Sequence, residues 1–235
     1  MVEIIPAILS KSFEELEDKL SVLSGHSRAV HVDMCDGKFV PSTTWPFEDD
    51  SDPDFQEIVD QEKGMPFWED FDFEFDLMIT SADTKIADFI SAGASRIVVH
   101  LDSVDDEQAE QILKEYGSAN DDLMSFDIAV GLAMSATTDM ARVEKFVSQA
   151  SFVQCMGIKK VGFQGQDFDE GVIERVRTLR TKFPELVISV DGGVHEDVVA
   201  SLARAGANHL IVGSGIWDAA NPSEEIERLQ EIANS

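Results

Sequence analysis

Short apolar runs alternate with amphipathic stretches from one end of the chain to the other, and this rhythm restricts the fold more than any other property of the sequence. A strand buried on both faces reads as a brief apolar run, whereas a helix packed against it repeats its apolar residues every three or four positions. Runs at residues 4–9, 29–32, 71–79, 95–101, 127–133, 152–158, 186–190 and 209–212 predict eight strands. Between them stand helical patterns such as Phe13, Leu16, Leu20 and Leu23, or Val172, Ile173, Val176 and Leu179, and the chain ends on Ile226, Leu229 and Ile232. Ser12 is placed to cap the first helix, with Glu15 completing a capping box, and Gly93 to close the helix before the fourth strand. Eight βα units with no break in composition predict an α/β fold, a single (β/α)8 TIM barrel spanning residues 1–235. An open doubly wound sheet fits less well, because it carries a glycine-rich turn after its first strand and this chain reads LSKSF there.

One connection is too long for a plain βα turn. Residues 43–70 form an acidic insertion between strands two and three, with Trp45, Trp68 and the cluster EDDSDPD. Long connections in compact folds are surface excursions or lids. The expectation is a surface insertion around a short helix at 54–61, the alternative being a flap that uses both tryptophans.

Charge excludes one class of function. The chain has 46 acidic and 18 basic residues, a net charge of −28, and that field opposes phosphate backbones, so a general nucleic-acid binder is ruled out. The surplus suits a solvated surface or a shell adapted to high salt. No apolar run reaches the roughly 18 residues of a membrane span. Cys35 and Cys155 are too few for a disulfide framework, and no basic leader precedes the first strand. A soluble, cytoplasmic protein is expected.

Barrels of this type build their active sites at the C-terminal ends of the strands, and those ends are polar here. Strand two finishes with His31 and Asp33, which alternation places on one inward side. Strand three offers Asp76, strand four His100, and strand seven Asp191 followed by Gly192 and Gly193, while strand eight ends in Gly213, Ser214 and Gly215. A lone rim histidine or aspartate is more often a structural hydrogen-bond partner. Glycine-rich turns after strands seven and eight, however, are where this fold cradles phosphate with backbone N–H groups.

These residues carry a resemblance. IIPAILSKSFEEL, HVDMCDGKFVPS, FDLMI, GFQGQDF, VDGGV and AGANHLIVGSGIW stand in order at barrel spacing, and with them the chain resembles the ribulose-phosphate 3-epimerase family over nearly its whole length. The resemblance implies metal-dependent inversion of C3 of a ketose phosphate, ribulose 5-phosphate or a related sugar phosphate, through an enediolate. His31, Asp33 and Asp191 then match metal ligands, with Asp33 and Asp191 also the acid/base pair. Gly192, Gly193, Gly213 and Ser214 match the phosphate cradle, with Gly165 in the loop that closes over it. Barrels of the family often associate, so a homo-oligomer is an open expectation.

The chain departs from the family in its surroundings. Asp76 stands where the family has a second metal histidine, Ala7 where it has a serine, Cys35 where it has a methionine and Lys38 where it has a histidine. One imidazole with three carboxylates is a hard donor set that favours Mn²⁺, Mg²⁺ or Fe²⁺ over Zn²⁺. Three ionised carboxylates around a divalent ion leave the site at −1, so Asp76 shares a proton, a cation compensates, or the metal is lost. Lys38, Lys159 and Lys160 are the available cations, the last two also candidates for substrate contact. Competing readings are a decarboxylase or aldolase on the same barrel, and a sugar-phosphate binder with a decayed metal site.

Overall fold

Parallel strands buried on both faces need a second layer of helices outside and a filled interior, and the chain supplies both. The computed structural model describes residues 1–49, 51–117, 128–162 and 166–235. Its strands are β1 Glu3–Ile8, β2 Ala29–Cys35, β3 Asp72–Met78, β4 Ala94–His100, β5 Ala129–Met134, β6 Phe152–Met156, β7 Val187–Asp191 and β8 His209–Val212. Each pairs in parallel with the next, and β8 returns to β1, closing the barrel. Around it lie α1 Phe13–Leu23, α2 Asp54–Val59, α3 Ala82–Ser91, α4 Asp106–Tyr116, α5 Met140–Phe146, α6 Gly171–Lys182, α7 Glu196–Ala205, α8 Ser214–Trp217 and α9 Pro222–Ala233.

The apolar mass sits between barrel and helices. Leu16, Leu20, Phe75, Phe89, Val176, Leu179 and Leu229 are buried there in one continuous cluster. Inside the barrel the filling is mixed. Val98, Ala133, Phe152 and Met156 pack together, and so do Ile5, Ala7 and Ile211. Yet His31, Glu74, Asp76, His100, Gln154 and Ser189 are also buried, in a space that this fold normally fills with branched aliphatics. Buried charges persist only when paired or ligated, so the interior itself marks a site.

Where sequence and structure differ, the reason is local. The second strand runs to Cys35, beyond its apolar run, because the β3 register continues past the apolar residues, pairing Asp33 with Asp76 and Cys35 with Met78. The fifth strand begins at Ala129, and its expected first residue, Asp127, lies outside the described residues. At α1 the Ser12 hydroxyl accepts from the N–H of Glu15 at 3.1 Å. The Glu15 carboxylate accepts from Lys11 N–H at 2.7 Å rather than from Ser12, so the box is displaced by one residue. In the insertion, α2 covers Asp54–Val59. Trp45 is 2% exposed and packs against Phe13 and Phe55 at ring-centroid distances of 5.4 and 5.6 Å. Trp68 is 64% exposed, so the two tryptophans do not share one surface.

Candidate active site

The alternation of β2 and β3 turns His31, Asp33 and Asp76 to the barrel axis, and the end of β7 brings Asp191 to the same place. One donor atom from each of these four residues lies within 4.8 Å of the others. His31 Nε2 stands 3.4 Å from Asp33 Oδ1 and 3.4 Å from Asp76 Oδ2, and this buried nitrogen has no hydrogen-bond partner. A buried, orphaned nitrogen costs free energy unless something else fills its lone pair. Neighbouring donors about 2.0–2.2 Å from one shared ion are themselves about 3–3.5 Å apart, so the two 3.4 Å spacings at His31 Nε2 and the donor chemistry of the group fit a divalent cation.

The atoms behind the cluster hold it in place. His31 Nδ1 meets Glu74 Oε1 at 2.6 Å, leaving Nε2 directed at the cluster. Asp76 is gripped on both oxygens, His100 Nε2 lying 2.8 Å from Oδ1 and Gln154 Nε2 donating to Oδ2 at 2.9 Å. Burial raises the Asp76 carboxyl, but the charge and hydrogen bond of His100 and the His31 contact outweigh this and hold it below the usual carboxylate range. Burial opposes the His100 imidazolium, and the charge and hydrogen bond of Asp76 reverse the effect, so its pKa is raised. The basic side chain in contact with Asp76 is thus His100, which was not among the cations expected from the sequence. Lys38, Lys159 and Lys160 are exposed.

The two outer carboxyls behave differently from Asp76. Burial raises Asp33, only partly offset by its contact with His31. Burial also pushes Asp191 up, to about 7; His31 opposes this while the charges of Asp33 and Asp76 reinforce it. Both side chains line a cavity at the barrel mouth, together with Ala7, Leu9, Met78, Met156, Ile158 and Gly162.

Gly192, Gly193, Gly213 and Ser214 line the same cavity, on the loops after β7 and β8. Gly192 and Gly193 have φ of 96° and 67°, in the left-handed region that glycine tolerates. A Cβ on Gly193 would stand 2.9 Å from the Phe168 backbone, so the close approach of the two loops needs glycine. Ser214 opens the short helix α8, the arrangement this fold uses against phosphate. Lys159 and Lys160 follow β6 on the same face but are not among the cavity-lining residues. Gly165 lies outside the described residues.

Sequence reasoning missed Glu74, Arg96 and Gln154 as members of the site. The parity of β3 pairs Glu74 with Asp76, and that of β6 pairs Gln154 with Met156, so the inward face was the available signal.

The comparisons with known proteins agree with this geometry. The sequence model of the Ribulose-phosphate 3 epimerase family matches residues 3–217. Ribulose-phosphate 3-epimerase of Aquifex aeolicus (strain VF5) is 28% identical over 97% of this chain and 95% of its own length. The cytoplasmic isoform of Oryza sativa subsp. japonica is 30% identical over 97% and 93%. Among solved structures, 3-hexulose-6-phosphate synthase from Salmonella typhimurium superposes with a TM-score of 0.69 over 99% of both chains at 16% identity, a likeness of fold alone. Family match, near-complete alignment and a closed barrel with four donors at its mouth lead to one conclusion: the chain belongs to the ribulose-phosphate 3-epimerase family of isomerases.

Proposed function

We propose that the protein is a cation-dependent epimerase that inverts C3 of a ketose phosphate, with ribulose 5-phosphate and xylulose 5-phosphate as its first candidate pair. The observation that carries this reading is the convergence of Asp33 and Asp191, from β2 and β7, on one cavity. Inverting a carbon beside a ketone needs a base on one face and an acid on the other. An acid/base group works best with a pKa near the working pH, and Asp191, pushed up to about 7, can hold or release the proton. In one direction Asp33 takes the C3 proton while Asp191 returns one to the opposite face; in the other the roles exchange.

His31, Asp33, Asp76 and Asp191 are the residues that would hold the ion, Mn²⁺, Mg²⁺ or Fe²⁺ in preference to Zn²⁺. When bound, it supplies Lewis acidity that stabilises the negative oxygens of an enediolate. Gly192, Gly193, Gly213 and Ser214 take the phosphate through backbone N–H groups and a hydroxyl, fixing C3 between the two carboxyls. Lys159 and Lys160, exposed beside the mouth, offset locally the field of a chain with net charge −28 that would otherwise repel an anionic substrate. Both cysteines are free and buried, which suits a reducing compartment such as the cytoplasm.

The test is proton exchange at C3. With Mn²⁺ present in D₂O, ribulose 5-phosphate should acquire deuterium at C3 and xylulose 5-phosphate should form. No exchange with any pentulose or hexulose phosphate would remove the epimerase reading.

A further inference from the structure

Below the four-donor cluster the barrel interior holds a second set of polar side chains, which the reaction does not touch. Glu74 is fully buried on β3. One oxygen, Oε1, meets His31 Nδ1 at 2.6 Å, and the other, Oε2, lies 2.7 Å from Arg96 Nε. The Arg96 N–H is not aligned for a hydrogen bond there, so this is an ion pair. Arg96 itself is held from three sides. Its Nη1 is 2.9 Å from His209 Nδ1, its Nη2 donates to Ser189 Oγ at 3.4 Å, and its guanidinium carbon stands 4.2 Å over the Phe152 ring centre. That ring lies against Gly131, where a Cβ would come within 2.3 Å of it. Glycine on β5 thus makes room for the ring on which Arg96 stacks.

We infer that Glu74, braced by Arg96, is the positioning residue of the cation site: it accepts the Nδ1 proton of His31, fixes the ring and its tautomer, and keeps the Nε2 lone pair turned toward Asp33, Asp76 and Asp191. This inference rests on the reading of those four residues as a cation site. A ligating imidazole whose second nitrogen donates to a carboxylate is better oriented and more basic, and loss of the carboxylate weakens metal binding. A carboxylate buried completely also needs a countercharge, and Arg96 is the guanidinium in contact. The bracing residues come from β4, β6, β7 and β8, so side chains deep in the interior are tied to a donor at the mouth. Neutral glutamine at 74 has no charge for Arg96 and can present an N–H to His31, which forces the imidazole proton onto Nε2 and blocks it.

The experiment is titration of the metal-free full chain with Mn²⁺, free Mn²⁺ being read by electron paramagnetic resonance, alongside thermal melting of each metal-free variant. Glu74→Gln keeps the shape and removes the charge; Glu74→Asp keeps the charge and withdraws the carboxylate by one methylene. Both should bind Mn²⁺ more weakly by about 10- to 100-fold. Wild-type affinity in either variant would overturn the inference; in Glu74→Asp alone it would do so by showing that Glu74 supplies charge without positioning the ring. If Glu74→Gln does not fold, Glu74→Asp carries the test. Failure of the wild type itself to bind Mn²⁺ would instead overturn the cation site, and the inference with it.

Discussion

Asp76 illustrates how neighbours absorb one altered donor. The charge count asks for a cation near it, and the chain's lysines are conspicuous because basic residues are scarce. The structure answers with His100, one strand along, and with Gln154 from across the barrel. Neither is a sequence neighbour of Asp76, and contacts across a barrel axis depend on shear and register that periodicity does not encode. The interior also contains a histidine with the opposite tendency. Burial, and then the Arg96 charge, push His209 down to about 4. Below the ordinary histidine pKa the unfolded chain takes up a proton that native His209 refuses, so its contribution to stability is lost as the pH falls from about 6.5 toward 4. Between pH 7 and pH 5 this amounts to about 2 kcal/mol. In urea titrations at those two pH values, His209→Gln, which keeps an acceptor for Arg96, should lose less stability than the wild type by about that amount. Equal losses would mean that His209 is protonated in the native state.

At the scale of elements, the turn after β2 shows how a strand end becomes a rigid rim. Asp36 Oδ1 accepts from the N–H groups of Lys38 and Phe39 at 2.8 and 2.9 Å. Its Oδ2 accepts from the N–H and the hydroxyl of Thr80, both at 2.9 Å, which ties the β2 loop to the end of β3. Burial raises its pKa, but these bonds outweigh that and lower it. Asp36→Ala should therefore cost about 1–3 kcal/mol in denaturant unfolding, and an unchanged midpoint would show that water replaces the carboxylate. The elements themselves were legible in the sequence, since eight apolar runs at βα spacing leave few folds open. Their ends were less so. β2 carries Asp33 and Cys35 beyond its apolar run because strand pairing, rather than hydropathy, decides where it stops. The inward His31, Asp33, Asp76 and Asp191 were legible from alternation and resemblance, whereas Glu74 read as one more acidic residue in an acidic chain.

For the whole molecule, the excess of carboxylates is the dominant property, and several of the ion pairs among the described residues are exposed on both sides, such as Arg28 with Asp72 and Arg228 with Glu196. Exposed pairs contribute little, so the self-repulsion of a net charge of −28 should control the salt response. Raising KCl from ~0.01 M to ~1 M shortens the screening length from ~30 Å to ~3 Å and should raise the melting temperature by several degrees, as expected for relief of about 1–2 kcal/mol. A flat or falling series would contradict this. The closed barrel also brings a carboxyl from β2 and another from β7 to one cavity, and the proposed reaction places them on opposite faces of a single carbon atom. Conversion of ribulose 5-phosphate to xylulose 5-phosphate, compared among wild type, Asp33→Asn and Asp191→Asn with Mn²⁺ bound, measures that directly, because inversion needs both carboxyls whereas exchange at one face needs only one. The wild type should epimerise and each variant should do so more slowly by about 10²–10⁴-fold, whereas wild-type epimerisation in either variant would contradict the two-carboxyl account.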